Sequence, residues 1–156
     1  MMLHFGIAVF LMYPITWLSM LAGGAGLLLA PLSIVGGHLL FDNFTPRVHR
    51  SFSKLKWGDL LPYAHVPCSI VTLALLLWQA QPSADVAGLG AWLSTLLGDW
   101  VLESHRRYDI WQQAGCAYVA GLMLSTNHIV GHELVHRRSE TVAMAMGRWL
   151  LALNGD

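Results

Sequence analysis

The chain has 156 residues, of which 55% are hydrophobic and 12% charged, well short of the roughly 25% charged found in soluble domains. Nine basic residues balance nine acidic ones, so no overall field favours nucleic acid. Cys68 and Cys116 both lie in apolar stretches and read as ordinary buried thiols, not as a disulfide framework.

No Asp, Glu, Lys or Arg precedes Asp42, and two membrane spans need about 40 apolar residues. Residues 5–41 therefore read as a helical hairpin, kinked at Pro14 and turned at Ala22-Gly23-Gly24-Ala25-Gly26. Residues 1–4 carry no Lys or Arg and the apolar run behind them is too long for a secretory leader. Residues 42–59 form a polar loop with Arg47, Arg50, Lys54 and Lys56, cytoplasmic by the positive-inside rule. Residues 60–78 form a third span, entered through Pro62 and Pro67, and 79–85 a short turn on the far side. Residues 86–102 contain Asp99, three glycines and two tryptophans, and are read as interfacial or re-entrant. A full crossing there would put His132 outside; the interfacial reading keeps Arg137-Arg138 on the same side as the first basic loop. Residues 111–138 then read as one metal-binding helix, and 141–153 as the start of another apolar stretch. That stretch breaks off at Asp156, which suggests a longer chain truncated at its C-terminus. The expected fold is all-α, a multi-pass membrane bundle of about four spanning helices, in a single domain.

Three of the eight histidines fall in Asn127-His128-Ile129-Val130-Gly131-His132-Glu133-Leu134-Val135-His136-Arg137-Arg138. Helical residues four apart sit ~40° apart and rise ~6 Å, so His132 and His136 project from one face and can grip one ion. His128 shares the stripe but lies ~12 Å along the axis from His136, so it suits a supporting role or a ligand to a neighbouring ion. Ionisable groups at membrane depth are costly and usually mark function. The His-Glu-x-x-His spacing serves two chemistries. In zinc peptidases the histidines bind zinc and Glu133 would be the general base. In membrane oxygenases the same spacing contributes to a histidine-rich iron site, where Glu133 would orient a ligand imidazole. Termination at a basic boundary, Arg137-Arg138, favours the oxygenase.

The box Gly131-His132-Glu133-Leu134-Val135-His136-Arg137-Arg138, preceded by apolar hairpins, resembles the membrane fatty acid desaturase and alkane hydroxylase superfamily, most closely its alkane and xylene monooxygenase branch. The resemblance implies that His132 and His136 are ligands of two non-haem iron ions, with O2 as co-substrate and hydroxylation or desaturation of an alkyl or fatty acyl chain as the reaction. It also implies a rubredoxin- or ferredoxin-type electron donor, no nucleic-acid partner, and a bacterial inner membrane with the site facing the cytoplasm. The family's second box, Glu-His-x-x-Gly-His-His, and its third, ending in adjacent histidines, do not occur in this sequence. The resemblance is thus to an N-terminal part that would be inactive alone. A zinc peptidase or a non-catalytic membrane metal-binding relic are the alternatives.

Among the other polar residues, His38 and Asp42 share a helical face, as a helix-end hydrogen bond or a polar group near the metal. His49 suits a solvated loop or a lipid phosphate, and His65 a cap on a broken turn after Pro62. His4 and His105 carry no expected role. Trp17, Trp78, Trp92, Trp100 and Trp111 suit an aromatic belt near span ends.

Overall fold

In the computed structural model, residues 6–44, 60–137 and 140–155 are described. They are all-α, as expected, with no strand among them. A π-helical turn, Ala8–Met12, leads into α1 (Tyr13–Ala22). The wide turn has a local cause: Pro14 cannot donate a hydrogen bond and its ring crowds the preceding carbonyls, and the Tyr13 N–H reaches back five residues to the Ala8 carbonyl. The expected kink at Pro14 is therefore a π-turn immediately before it.

The turn after α1 falls where the glycine run places it. Gly23 has φ +63° and ψ −170°, a region essentially closed to other residues. A Cβ there would also lie 2.7 Å from the Tyr108 ring. The chain returns through a 3-10 turn, Gly24–Leu28, into α2 (Leu29–Phe44). The next helix, α3 (Leu61–Gln79), carries Pro62 in its first turn, where a missing N–H costs nothing, and continues through Pro67. Residues 86–102 contain two short helices, α4 (Leu89–Leu97) and α5 (Trp100–Arg106), separated at Gly98 with φ +99°. The segment is therefore two short helices and not one continuous one.

The expected single helix over 111–138 is corrected by the structure. It is two helices, α6 (Ile110–Ser125) and α7 (Asn127–Val135), broken at Thr126. The cause is local polarity. Ser125 Oγ donates to the Leu122 carbonyl at 2.7 Å, and Thr126 Oγ1 to the Met123 carbonyl at 2.7 Å. Two successive hydroxyls that bond back to the preceding turn bend or end a helix. Finally α8 (Thr141–Ala152) folds back along α7.

Helix α1 is central, in contact with α2, α3, α5 and α6. Its orphan C-terminal carbonyls are capped by distant side chains, as buried helix ends require. The Met20 carbonyl accepts from Gln79 Nε2 at 2.8 Å and from the Tyr108 hydroxyl, and the Ala22 carbonyl from Ser104 Oγ at 2.8 Å.

Among the described residues the interior combines apolar clusters, around Met20, Trp78 and Val119 and around Leu134 and Leu150, with buried polar side chains, while many large apolar side chains face outward. Thr16, Ser19, His65, Ser69, Thr72, Gln79, His105 and Asn127 are all buried, whereas Phe10, Leu32, Leu77, Ile110 and Trp111 are 69–81% exposed. Among the described residues one helix, α3, is long and apolar enough to cross a membrane, with mean hydropathy 1.5. Only a third of its apolar window is buried.

His105 has a definite place, contrary to expectation. It is buried in α5, its ring stacked on Trp78 with centroids 3.9 Å apart and planes 10° apart. Because Gln79 spends its Nε2 on Met20, its Oε1 faces His105 Nδ1 at 2.9 Å and accepts that N–H. Trp78 Nε1 donates to Asp85 Oδ1 at 3.0 Å, and Asp85 also accepts from the Gly90 and Ala91 N–H groups at 2.6 and 3.0 Å. Trp78 is thus a buried joint instead of a belt residue, and Trp17 likewise donates to Thr72 Oγ1 at 2.9 Å. Trp92, Trp100 and Trp111 remain exposed.

This corner predicts acid sensitivity. Burial holds the His105 pKa below its ordinary value, and the Gly90 N–H holds Asp85 below the usual carboxylate range. Both depressed groups bind protons more readily when unfolded. Their stabilisation is full above about pH 6.5 and is lost as pH falls, through His105 first and Asp85 later. The thermal midpoint is expected to be flat above neutrality and to fall below it. His105→Phe, which keeps a ring against Trp78, should remove the first decline; a melting series in detergent checks it.

Candidate metal-binding helix

The three boxed histidines lie on α7, exposed along one side. The His132 and His136 rings are 6.2 Å apart between centroids and nearly parallel, at 22°. The His128 ring meets His132 edge-on at 4.7 Å and 73°. All three imidazoles thus share one stripe, as the i, i+4 spacing predicts.

The opposite side of α7 is buried. Val130 and Leu134 pack with Ala143 and Leu150 of α8, and with Leu61, Tyr63 and Val66 of α3. The α7–α8 contact is unusually close because glycine faces glycine. A Cβ on Gly147 would lie 2.8 Å from the Gly131 carbonyl oxygen and 2.9 Å from the Val135 nitrogen, so neither neighbour could yield without moving backbone. Small residues allow such approach between helices in apolar surroundings.

Both ends of α7 are tied to α3. At the start, Asn127 is fully buried; its Oδ1 accepts from the Tyr13 hydroxyl at 3.1 Å and its Nδ2 donates to Ser69 Oγ at 2.8 Å. Ser69 Oγ in turn donates to the His65 carbonyl at 2.7 Å, and His65 Nδ1 lies 3.4 Å from the Tyr13 hydroxyl. His65 therefore belongs to a buried polar node and is not a cap after Pro62. At the far end, the Tyr63 hydroxyl donates to Glu140 Oε2 at 2.5 Å, and the Arg137 guanidinium sits 5.9 Å from the centre of the Tyr63 ring. Arg137 also approaches Glu133 Oε1 at 4.0 Å. This outer clasp is exposed, so Tyr63→Phe is expected to cost at most about 1 kcal/mol in a denaturation series.

Among the described residues, no group of three or more His, Cys, Asp or Glu side chains converges on a point that could hold a metal ion. The stripe brings His128, His132 and His136 side by side on the exposed side of the chain. The side chains of His38 and Asp42, and residues His4 and His49, lie outside the described residues. Comparison with protein-family models, with curated proteins and with solved structures gives no match to this chain.

The roles of Tyr13, Ser69 and His65 in this node were not legible in the sequence. Tyr13 stands 56 residues from Ser69 and 114 from Asn127, so no local spacing joins them. The available signal was weaker: isolated polar residues inside otherwise apolar helices need partners, and in such surroundings they find one another.

Proposed function

We propose that this chain is membrane-embedded and contributes His132 and His136 as iron ligands to a non-haem di-iron oxygenase, a hydroxylase or desaturase of alkyl or fatty acyl chains. The observation that carries the reading is the exposed imidazole pair on α7, 6.2 Å apart and nearly parallel, on a helix whose opposite side and both ends are anchored. To hold one ion with metal–nitrogen bonds of about 2.1 Å, the two rings would turn their ligand nitrogens toward a common point. Imidazole suits iron as well as zinc, so the donor set alone is compatible with both.

The membrane part of the proposal is supported by the large apolar side chains on the outside of the bundle. Together with buried polar residues that bond to one another among the described helices, they match a bundle solvated by lipid, where hydrogen bonds replace water within and apolar groups face the acyl chains. In this reading α3 spans, the N-terminal hairpin and α6 cross with it in a multi-pass bundle, and α7 lies at the cytoplasmic boundary beside Arg137.

The pair would supply two ligands, and among the described residues no group of three or more converges to fill the larger imidazole set of a di-iron centre. When bound, iron would supply the O2-dependent oxidising chemistry that an unactivated C–H bond requires. The chain's own residues would bind the ion through His132 and His136 and aim them from an anchored helix, and the apolar outer faces of the bundle would suit an alkyl chain. A rubredoxin- or ferredoxin-type donor would deliver electrons from the cytoplasmic side.

Metal analysis of the full chain purified from membranes tests the reading. Iron is expected to co-purify, and Glu133→Gln should leave its content largely unchanged, because Glu133 is not one of the proposed ligands and its carboxylate lies 4.0 Å from Arg137. Zinc in place of iron, together with peptide hydrolysis abolished by Glu133→Gln, would replace the proposal with a zinc peptidase.

A further inference from the structure

We propose that Asn127 is the positioning residue that aims the histidine helix, acting through the joint at residues 125–127. The inference rests on the reading of His132 and His136 as a metal-binding pair. Three observations carry it. The Ser125 and Thr126 hydroxyls bond to the preceding turn's carbonyls, and the α-helical ladder is interrupted at Thr126, where α6 ends and α7 begins. The first residue beyond that joint is Asn127, whose buried amide engages two other helices at once, Tyr13 of α1 and Ser69 of α3. The next residue is His128, the first of the stripe.

The amide uses both of its ends. Oδ1 can only accept and Nδ2 can only donate, and each meets a partner of the matching kind. Rotating α7 about its axis, or tilting it at the joint, would withdraw both from their partners and leave them in an apolar interior. A buried amide without partners is costly, so the bonded orientation is strongly preferred. The helix has nine residues and is about 13 Å long at ~1.5 Å per residue. A swing of about 20°, the size of an ordinary kink, would carry His136 sideways by roughly 4–5 Å. Within α7 the spacing of His132 and His136 would not change. Asn127 therefore governs where the pair points, and not whether the pair exists.

That separation gives the experiment. The full chain, in a Cys68→Ala, Cys116→Ala background with a nitroxide on Leu77→Cys of α3, is loaded with Cu2+ as the probe. The Cu2+–nitroxide distance is then read by pulsed dipolar spectroscopy. The unaltered pair should give one narrow distance that disappears in His132→Ala. Asn127→Leu is expected to shift the mean by roughly 4 Å or to broaden it comparably, while Cu2+ affinity stays within about twofold. Tyr13→Phe, which removes one of the two anchors with little change in volume, should broaden the distribution less. It decides the matter if Asn127→Leu does not fold. Distances identical to the parent in both variants would overturn the positioning role and leave the metal pair standing. Failure of Cu2+ to bind, or binding that survives His132→Ala, would overturn the pair and the positioning role with it.

Discussion

On the proposed role of the pair, replacing His132 or His136 with alanine is expected to strip the purified full chain of bound transition metal. In that reading two imidazoles on one face share the ion, and one alone is an ordinary monodentate ligand. The loss in affinity should exceed the roughly 10–100-fold typical of removing an outer hydrogen-bond partner of a ligand. His128→Ala should have the smaller effect, since His128 lies about two turns from His136 along the helix and is not one of the proposed pair. Metal content by elemental analysis, with circular dichroism as the folding control, checks all three. Equal losses from His128→Ala and His136→Ala would mean that the stripe binds as three ligands or through more than one ion. Metal content unchanged in both His132→Ala and His136→Ala would remove the site altogether.

The largest expected effect on folding is at the glycine crossing. Gly147→Ala places a methyl group 2.8 Å from the Gly131 carbonyl and 2.9 Å from the Val135 nitrogen, where only backbone could yield. Inserting a methyl group into a filled contact costs about 1–3 kcal/mol, and obstruction by backbone places this case toward the upper end. Gly147→Leu should separate α7 from α8 outright. The comparison is Gly121→Ala, a helical glycine with nothing within 4 Å of its added Cβ, expected to be neutral or to stabilise by about 0.5–1 kcal/mol. Thermal midpoints in one detergent, for all three variants, suffice. A Gly147→Ala midpoint at or above the parent's would show that the close approach is not required. Because α8 is the main support of the histidine helix, Gly147→Leu should also scatter the Cu2+ distance described above.

Much of the local architecture was written in residue types and short spacings. The glycine run at 22–26 predicts the first turn, and Gly23 adopts the one conformation there that other residues could not. Pro62 falls in the first turn of α3, where proline belongs. The i, i+4 spacing of His128, His132 and His136 puts them on one stripe, and helix geometry enforces that in any fold that keeps the helix. What misled was apolarity read over long windows. Residues 111–138 look like one continuous run, yet Ser125 and Thr126 together end the helix in the middle of it. Mean hydropathy weighs those two hydroxyls lightly, although their hydrogen bonds decide the backbone.

Residues in the interior were the least legible. His105 and His65 are separated in sequence from their partners, His105 by 26 residues from Gln79 and His65 by 52 from Tyr13. The choice of partner depends on how α1, α3, α5 and α7 come together, which no periodicity along one helix encodes. The same holds for Gly131 and Gly147, each an unremarkable helical glycine until the two helices cross. The sequence by itself determined an all-α chain, its main turns, and a histidine stripe on one helix face. These follow from backbone sterics and the helical repeat, which act over a few residues. Tertiary structure alone decided which buried polar groups satisfy one another, and in which direction the stripe is held. Those outcomes depend on contacts between helices, where an unpartnered amide or a clashing Cβ is costly enough to select one arrangement over its neighbours.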